Sequence, residues 1–76
     1  TMIFDNEPRN KEIVNRMINA VDKKFNVAVW PESLKYKDIN DMIIAGKTSA
    51  QIQSIIYRST YCGLEAHQHI NNWKKV

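Results

Sequence analysis

Apolar and polar positions alternate in two rhythms along the first 31 residues. Met2-Ile3-Phe4 is a continuous apolar run that stops at Asp5, the pattern of a short strand buried on both faces. Asn6-Glu7-Pro8 reads as a turn. Asn6 or Glu7 can cap the following helix, and Pro8 suits its first position, where a missing N–H costs nothing. Ile13, Val14, Met17, Ile18 and Val21 then recur at the spacing of a single buried helical face, which predicts a helix over 8–23. Over 25–30 the period changes to two. Phe25, Val27 and Val29 point one way and Asn26, Ala28 and Trp30 the other, as in a strand that Pro31 ends. Strand, helix and strand with short joints predict a βαβ unit with parallel strands and a right-handed crossover.

The remaining pattern is helical. Residues 38–45 predict a short helix that Gly46 terminates in a left-handed conformation. Thr48 and Gln51 form a capping box for the next helix, whose Ile52, Ile55 and Ile56 face inward. Thr60 or Gly63 separates it from a last helix carrying Leu64, Ala66, Ile70 and Trp73. The expected fold class is therefore α/β, in the order β-α-β-α-α-α. Two parallel strands make a poor sheet by themselves. The chain is accordingly expected to be a single partial domain, completed by upstream sequence, a second copy or another partner. Its open strand edge predicts a homo-oligomer.

Composition narrows the classes further. A chain of 76 residues buries only about 60% of its unfolded surface, so its stability is expected to be modest. The hydrophobic fraction of 43% and charged fraction of 25% are those of a water-exposed globular chain. No apolar run is long enough for a membrane span or a signal peptide. A lone cysteine, Cys62, excludes an internal disulfide and makes the cytoplasm the expected location. The net charge of +3 is compatible with nucleic acid without arguing for it. Placement says more than the total. Lys35, Lys37, Lys74 and Lys75 cluster near Tyr36 and Trp73, whereas Asp5, Glu7, Asp38 and Asp41 form two acidic knots.

Topology gives those knots a chemical meaning. Ligands of parallel α/β sheets bind beyond the carboxyl ends of the strands. Asp5 and Glu7 stand at one such end, and Asp38 and Asp41 follow the other by a loop's length. The four carboxylates are expected to converge on one edge, where an all-oxygen ligand set suits Mg²⁺ or Mn²⁺ better than zinc. Two plainer roles stay open: Asp38 as a helix N-cap and Asp5 as a turn residue. Lys35, Tyr36 and Lys37 flank the acidic edge as a basic, aromatic loop able to contact nucleic acid. Arg9 and Lys11, at the start of the first helix, can neutralise a phosphate or simply stay solvated.

The run Ile3-Phe4-Asp5-Asn6-Glu7-Pro8-Arg9-Asn10 resembles the strand–turn segment of the Toprim domain. Primases, type IA and type II topoisomerases and some nucleases share that domain. The family carries Asp-x-Asp after a hydrophobic strand; here the pattern is Asp5-x-Glu7. Lys37-Asp38-Ile39-Asn40-Asp41 resembles the Lys-Asp-x-x-Asp stretch that follows the next strand in primases. Gly63-Leu64-Glu65-Ala66 with Trp73-Lys74-Lys75 resembles the C-terminal end of primases from T4-like phages.

The resemblance implies the C-terminal half of a Toprim-like domain, with Asp5 and Glu7 as the metal-binding pair and Asp38 and Asp41 assisting. It also implies Mg²⁺-dependent synthesis of primers on single-stranded DNA from nucleotides, with a replicative helicase as partner, in the cytoplasm of a phage-infected bacterium. Two departures qualify it. The family's glutamate on an earlier strand has no counterpart in this sequence, so no catalytic set is complete here and the chain alone is expected to be inactive. Glu7 also replaces an aspartate, lengthening its reach by one methylene.

Other residues add little chemistry. Cys62, His67 and His69 lack the spacing of a zinc site. Trp30 and Trp73 are expected to pack rather than to stack on bases. Two competing classes remain: a remnant of a Toprim nuclease or topoisomerase, and a non-catalytic nucleic-acid-binding or assembly module whose carboxylates only cap helices.

Overall fold

The computed structural model describes residues 1–76. The elements are α1 (Lys11–Asp22), β1 (Val27–Ala28), α2 (Ile39–Ile44), α3 (Ser49–Arg58), β2 (Thr60–Tyr61) and α4 (Gly63–Trp73). The result is a mixed helix and strand fold in which four helices surround a two-stranded antiparallel sheet.

β1 is short, but the segment that runs from it to Trp30 contributes to two cores. Val27 and Val29 belong to a core with Val14, Met17, Ala20 and Val21 of α1 and Ala66, Ile70 and Trp73 of α4. Trp30 belongs to a second core with Met42 of α2 and Ile52 of α3, bordered by Leu34, Ile39, Ile55 and Ile56. Met17, Val27, Met42 and Ile70 are fully buried. At about 1.5–3 kcal/mol for each large apolar side chain removed from water, such positions supply much of the drive to fold.

The sheet departs from the expected parallel βαβ unit. The first apolar run contributes one parallel bridge, Met2 to Val27. Met2 N–H donates to Asn26 O at 2.8 Å and Ala28 N–H to Met2 O at 3.0 Å. Met2 and Ile3 are exposed instead of covered on both faces. Only Phe4 packs against the first core. The principal partner of β1 is β2, antiparallel in the register Val27↔Tyr61 and Ala28↔Thr60. The sequence presents 60–61 as a break between two helices. Its extended backbone uses that break to occupy the side of β1 that the parallel arrangement leaves open. Phe25, expected on the same side as Val27 and Val29, is 50% exposed, because the chain turns through Lys24 at φ +72° before pairing begins.

The helix boundaries follow local hydrogen-bond demand. α1 starts at Lys11, not Pro8, because Asn10 caps it: its Oδ1 accepts from Glu12 N–H at 3.0 Å and Ile13 N–H at 3.3 Å. Pro8 stays outside the helix, where its carbonyl accepts from Lys75 N–H at 2.7 Å. α3 carries the expected capping box of Thr48 and Gln51. Gly46 follows α2 at φ +98°, a conformation that glycine adopts without a Cβ penalty.

Candidate functional site

Asn6 organises the region where the two acidic knots meet. It sits between Asp5 and Glu7, in a turn closed by Glu7 N–H donating to Asp5 O at 2.9 Å and Asn10 N–H donating to Glu7 O at 3.0 Å. Its backbone N–H donates to Lys37 O at 2.5 Å. Its side-chain Nδ2 donates to Leu34 O at 3.1 Å and Tyr36 O at 2.9 Å. Its Oδ1 accepts from the indole of Trp73 at 2.9 Å. The turn bearing Asp5 and Glu7 is thereby fastened to the loop leading into Asp38. Trp30 reinforces the junction by donating from Nε1 to Phe4 O at 2.7 Å.

The backbone juxtaposition is thus present, but the four side chains do not gather into a cage. No three His, Cys, Asp or Glu side chains stand close enough to hold a metal ion together. Asp38 takes the plainer role named above: its Oδ1 accepts from Asp41 N–H at 2.8 Å as the N-cap of α2. Asp5 and Asp41 are exposed, Glu7 and Asp38 half-buried. The donor chemistry suits Mg²⁺, which binds through one or two carboxylates and completes its octahedron with waters and substrate phosphates.

The candidate nucleic-acid contacts divide among four places. Arg9 and Lys35 lie on the rim of a depression of ≈ 270 Å³ that also involves Asn6, Glu32, Trp73 and Lys75. Lys35 and Tyr36 also face a larger groove of ≈ 820 Å³ between the 29–36 segment, the end of α3, β2 and α4. Lys11 is exposed in the first turn of α1, and Lys37 is exposed beside the acidic turn that its carbonyl holds.

Several side chains acquire roles that spacing alone conceals. His69 stacks on Tyr61 with ring centroids 3.7 Å apart and planes 10° from parallel. His67 Nε2 lies 3.1 Å from Asp22 Oδ1, joining α4 to the end of α1. Lys47 and Arg58 enter the large groove beside Lys35 and Tyr36. They stand 12 and 23 residues from Lys35 in sequence, so only the packing of α3 beside the 29–36 segment brings them together. Trp30 and Trp73 are buried, as expected of packing residues.

No protein-family model matches the chain. Comparison with characterised proteins finds a likeness to a region of a DNA primase. The particular relative is the DNA primase of Enterobacteria phage T4, 36% identical over 76 residues. The likeness covers 97% of this chain and 22% of that primase, so the chain spans about a fifth of its relative's length.

Proposed function

We propose that the chain is part of a phage-type DNA primase, contributing one edge of a Mg²⁺-dependent Toprim-like site and inactive by itself. The observation that carries this reading is the bond from Asn6 N–H to Lys37 O. It sets the Asp5-x-Glu7 turn beside the Lys37-Asp38 loop, two segments already singled out by their resemblance to primases. The 36% identity to the T4 enzyme supports the same class.

In this reading Asp5 and Glu7 provide carboxylates to Mg²⁺, with Asp38 and Asp41 as neighbouring negative charge. The rest of the ligand set and the family's glutamate come from outside these 76 residues. The bound cation orients phosphates and offsets charge developing during phosphoryl transfer. The chain's own contribution is positional. Asn6 fixes the turn, and Arg9, Lys35, Tyr36 and Lys37 offer cations and a ring to single-stranded DNA or nucleotides. A replicative helicase partner, pairing between copies through residues 2–4 and a cytoplasmic setting in the infected host belong to the same proposal.

Asp38 favours a second reading, a non-catalytic nucleic-acid-binding or assembly module, because its carboxylate is already used as a cap. Titrating Mn²⁺ while following backbone NMR signals separates the two. The primase reading expects selective broadening at residues 5–7 and 37–38 together, abolished by Asp5→Asn with Glu7→Gln. Uniform weak broadening that survives those substitutions would support the module.

A further inference from the structure

We propose that the ≈ 820 Å³ groove between the 29–36 segment, α3, β2 and α4 is a binding track for a short single strand of nucleic acid, distinct from the acidic edge. The inference deepens the proposed function and rests on its nucleic-acid reading, but uses neither the carboxylates nor a metal.

Charge is the first argument. Lys35, Lys47 and Arg58 line the groove against a single acid, Glu32. None of the three takes part in an ion pair; the ion pairs of the structure are Arg16–Glu12, His67–Asp22 and Lys75–Glu32. Glu32 is itself partly neutralised by Lys75, whose Nζ lies 3.5 Å from Oε1. The groove therefore presents unpaired positive charge from two loops and the end of α3, an arrangement that attracts a polyanion.

Ring placement is the second argument, and it selects the class of polyanion. The Tyr61–His69 stack lies on the same groove. Tyr36, also on the lining, carries Lys47 Nζ at 5.9 Å from its ring centroid. Tyr61 is held between His69 and the first core, so the rings that the groove offers are His69 and Tyr36. A carboxylate-rich peptide would use the cations and leave these two rings idle. A single strand uses both, its phosphates on the cations and its bases against the rings. The groove's volume is also on the scale of pockets that enclose a small organic ligand, enough for one or two nucleotides rather than for a duplex. The strand's remaining length would run out over the basic rim.

The test is fluorescence anisotropy of a labelled oligothymidylate of about ten nucleotides with the 76-residue chain, in EDTA so that the metal site plays no part. The expected result is salt-sensitive binding that Lys47→Glu with Arg58→Glu weakens by about tenfold or more. The slope of log affinity against log salt should fall by about 1.4, at about 0.7 for each phosphate contact on a single strand. Glu32→Gln, which removes the groove's acid, should tighten binding, a gain that a misfolded variant cannot mimic. Binding unaffected by Lys47→Glu with Arg58→Glu would overturn the proposal. So would equal competition by poly-glutamate of matched charge, which would give the groove to an acidic protein, or by a free nucleoside triphosphate, which would make it a mononucleotide pocket. Retained binding in Asp5→Asn with Glu7→Gln supports the groove independently of the acidic edge.

Discussion

Trp73 donates its indole N–H to the side-chain oxygen of Asn6 at 2.9 Å, across 67 positions of sequence. Trp73 is 5% exposed, so its donor has little access to water. The same Asn6 side chain donates to Leu34 O and Tyr36 O. One amide therefore joins the acidic turn, the basic loop and the last helix. Asn6→Ala is expected to cost about 2–4 kcal/mol, the sum of several modest hydrogen bonds and one orphaned buried donor. Urea unfolding followed by tryptophan fluorescence measures this directly. A loss below about 0.5 kcal/mol, the range of an ordinary surface change, would mean that the three segments do not depend on Asn6.

Each of the two cores contains one tryptophan, Trp73 in the first and Trp30 in the second. Because the continuous segment 27–30 contributes Val27 and Val29 to the first and Trp30 to the second, they should unfold together. Met42→Ala in the second core is expected to cost about 2–5 kcal/mol, the usual range for emptying a fully buried site. It should lower the unfolding midpoint reported by either tryptophan, read separately in Trp30→Phe and Trp73→Phe backgrounds. Midpoints that part company would show two independently melting halves.

The architecture was legible wherever a single local rule decides the outcome. The helical stripe of Ile13, Val14, Met17 and Val21, the Thr48–Gln51 box and the left-handed Gly46 all follow from periodicity or capping, and all are present. β2 was not legible, because two residues between helices carry no period; their pairing with β1 is decided by tertiary contact. The shift of the α1 start from Pro8 to Lys11 came from competing caps, where Asn10 satisfied two N–H groups. At the site, the expectation of convergence rests on parallel strand ends, whereas the two acidic segments are joined by a backbone bond between loops, Asn6 N–H to Lys37 O. Side-chain convergence was not readable, since it depends on rotamers and on Asp38 engaging its own helix. Lys47 and Arg58 carry no signal in the sequence because each is an isolated cation, and only the fold sets them on one groove with Lys35.

The single parallel bridge at Met2 leaves a short apolar edge, with Met2 39% and Ile3 42% exposed. Open edges invite pairing between copies, and a lysine there discourages it. Ile3→Lys is expected to shift the chain toward monomer in sedimentation velocity at high concentration, with little change in helix content. Self-association identical in wild type and variant would place the contact elsewhere, and a wild-type monomer throughout would remove the need for one.

Asp38 separates structure from chemistry most sharply, because one carboxylate stands in both accounts. As an N-cap it needs only an oxygen that accepts from Asp41 N–H, and Asn caps about as well as Asp. As a neighbour of a cation it needs its charge. Asp38→Asn should therefore leave thermal stability nearly unchanged, whereas Asp38→Ala should cost about 1 kcal/mol through the lost cap. If the acidic edge attracts Mg²⁺, both substitutions should weaken Mn²⁺ broadening at Asp5 and Glu7 to a similar degree, since both remove the charge. If Asp38 is only a cap, Asp38→Asn should leave any broadening intact. Measuring melting temperature and Mn²⁺ response on the same three proteins resolves the roles, because the two accounts predict opposite behaviour for the asparagine variant.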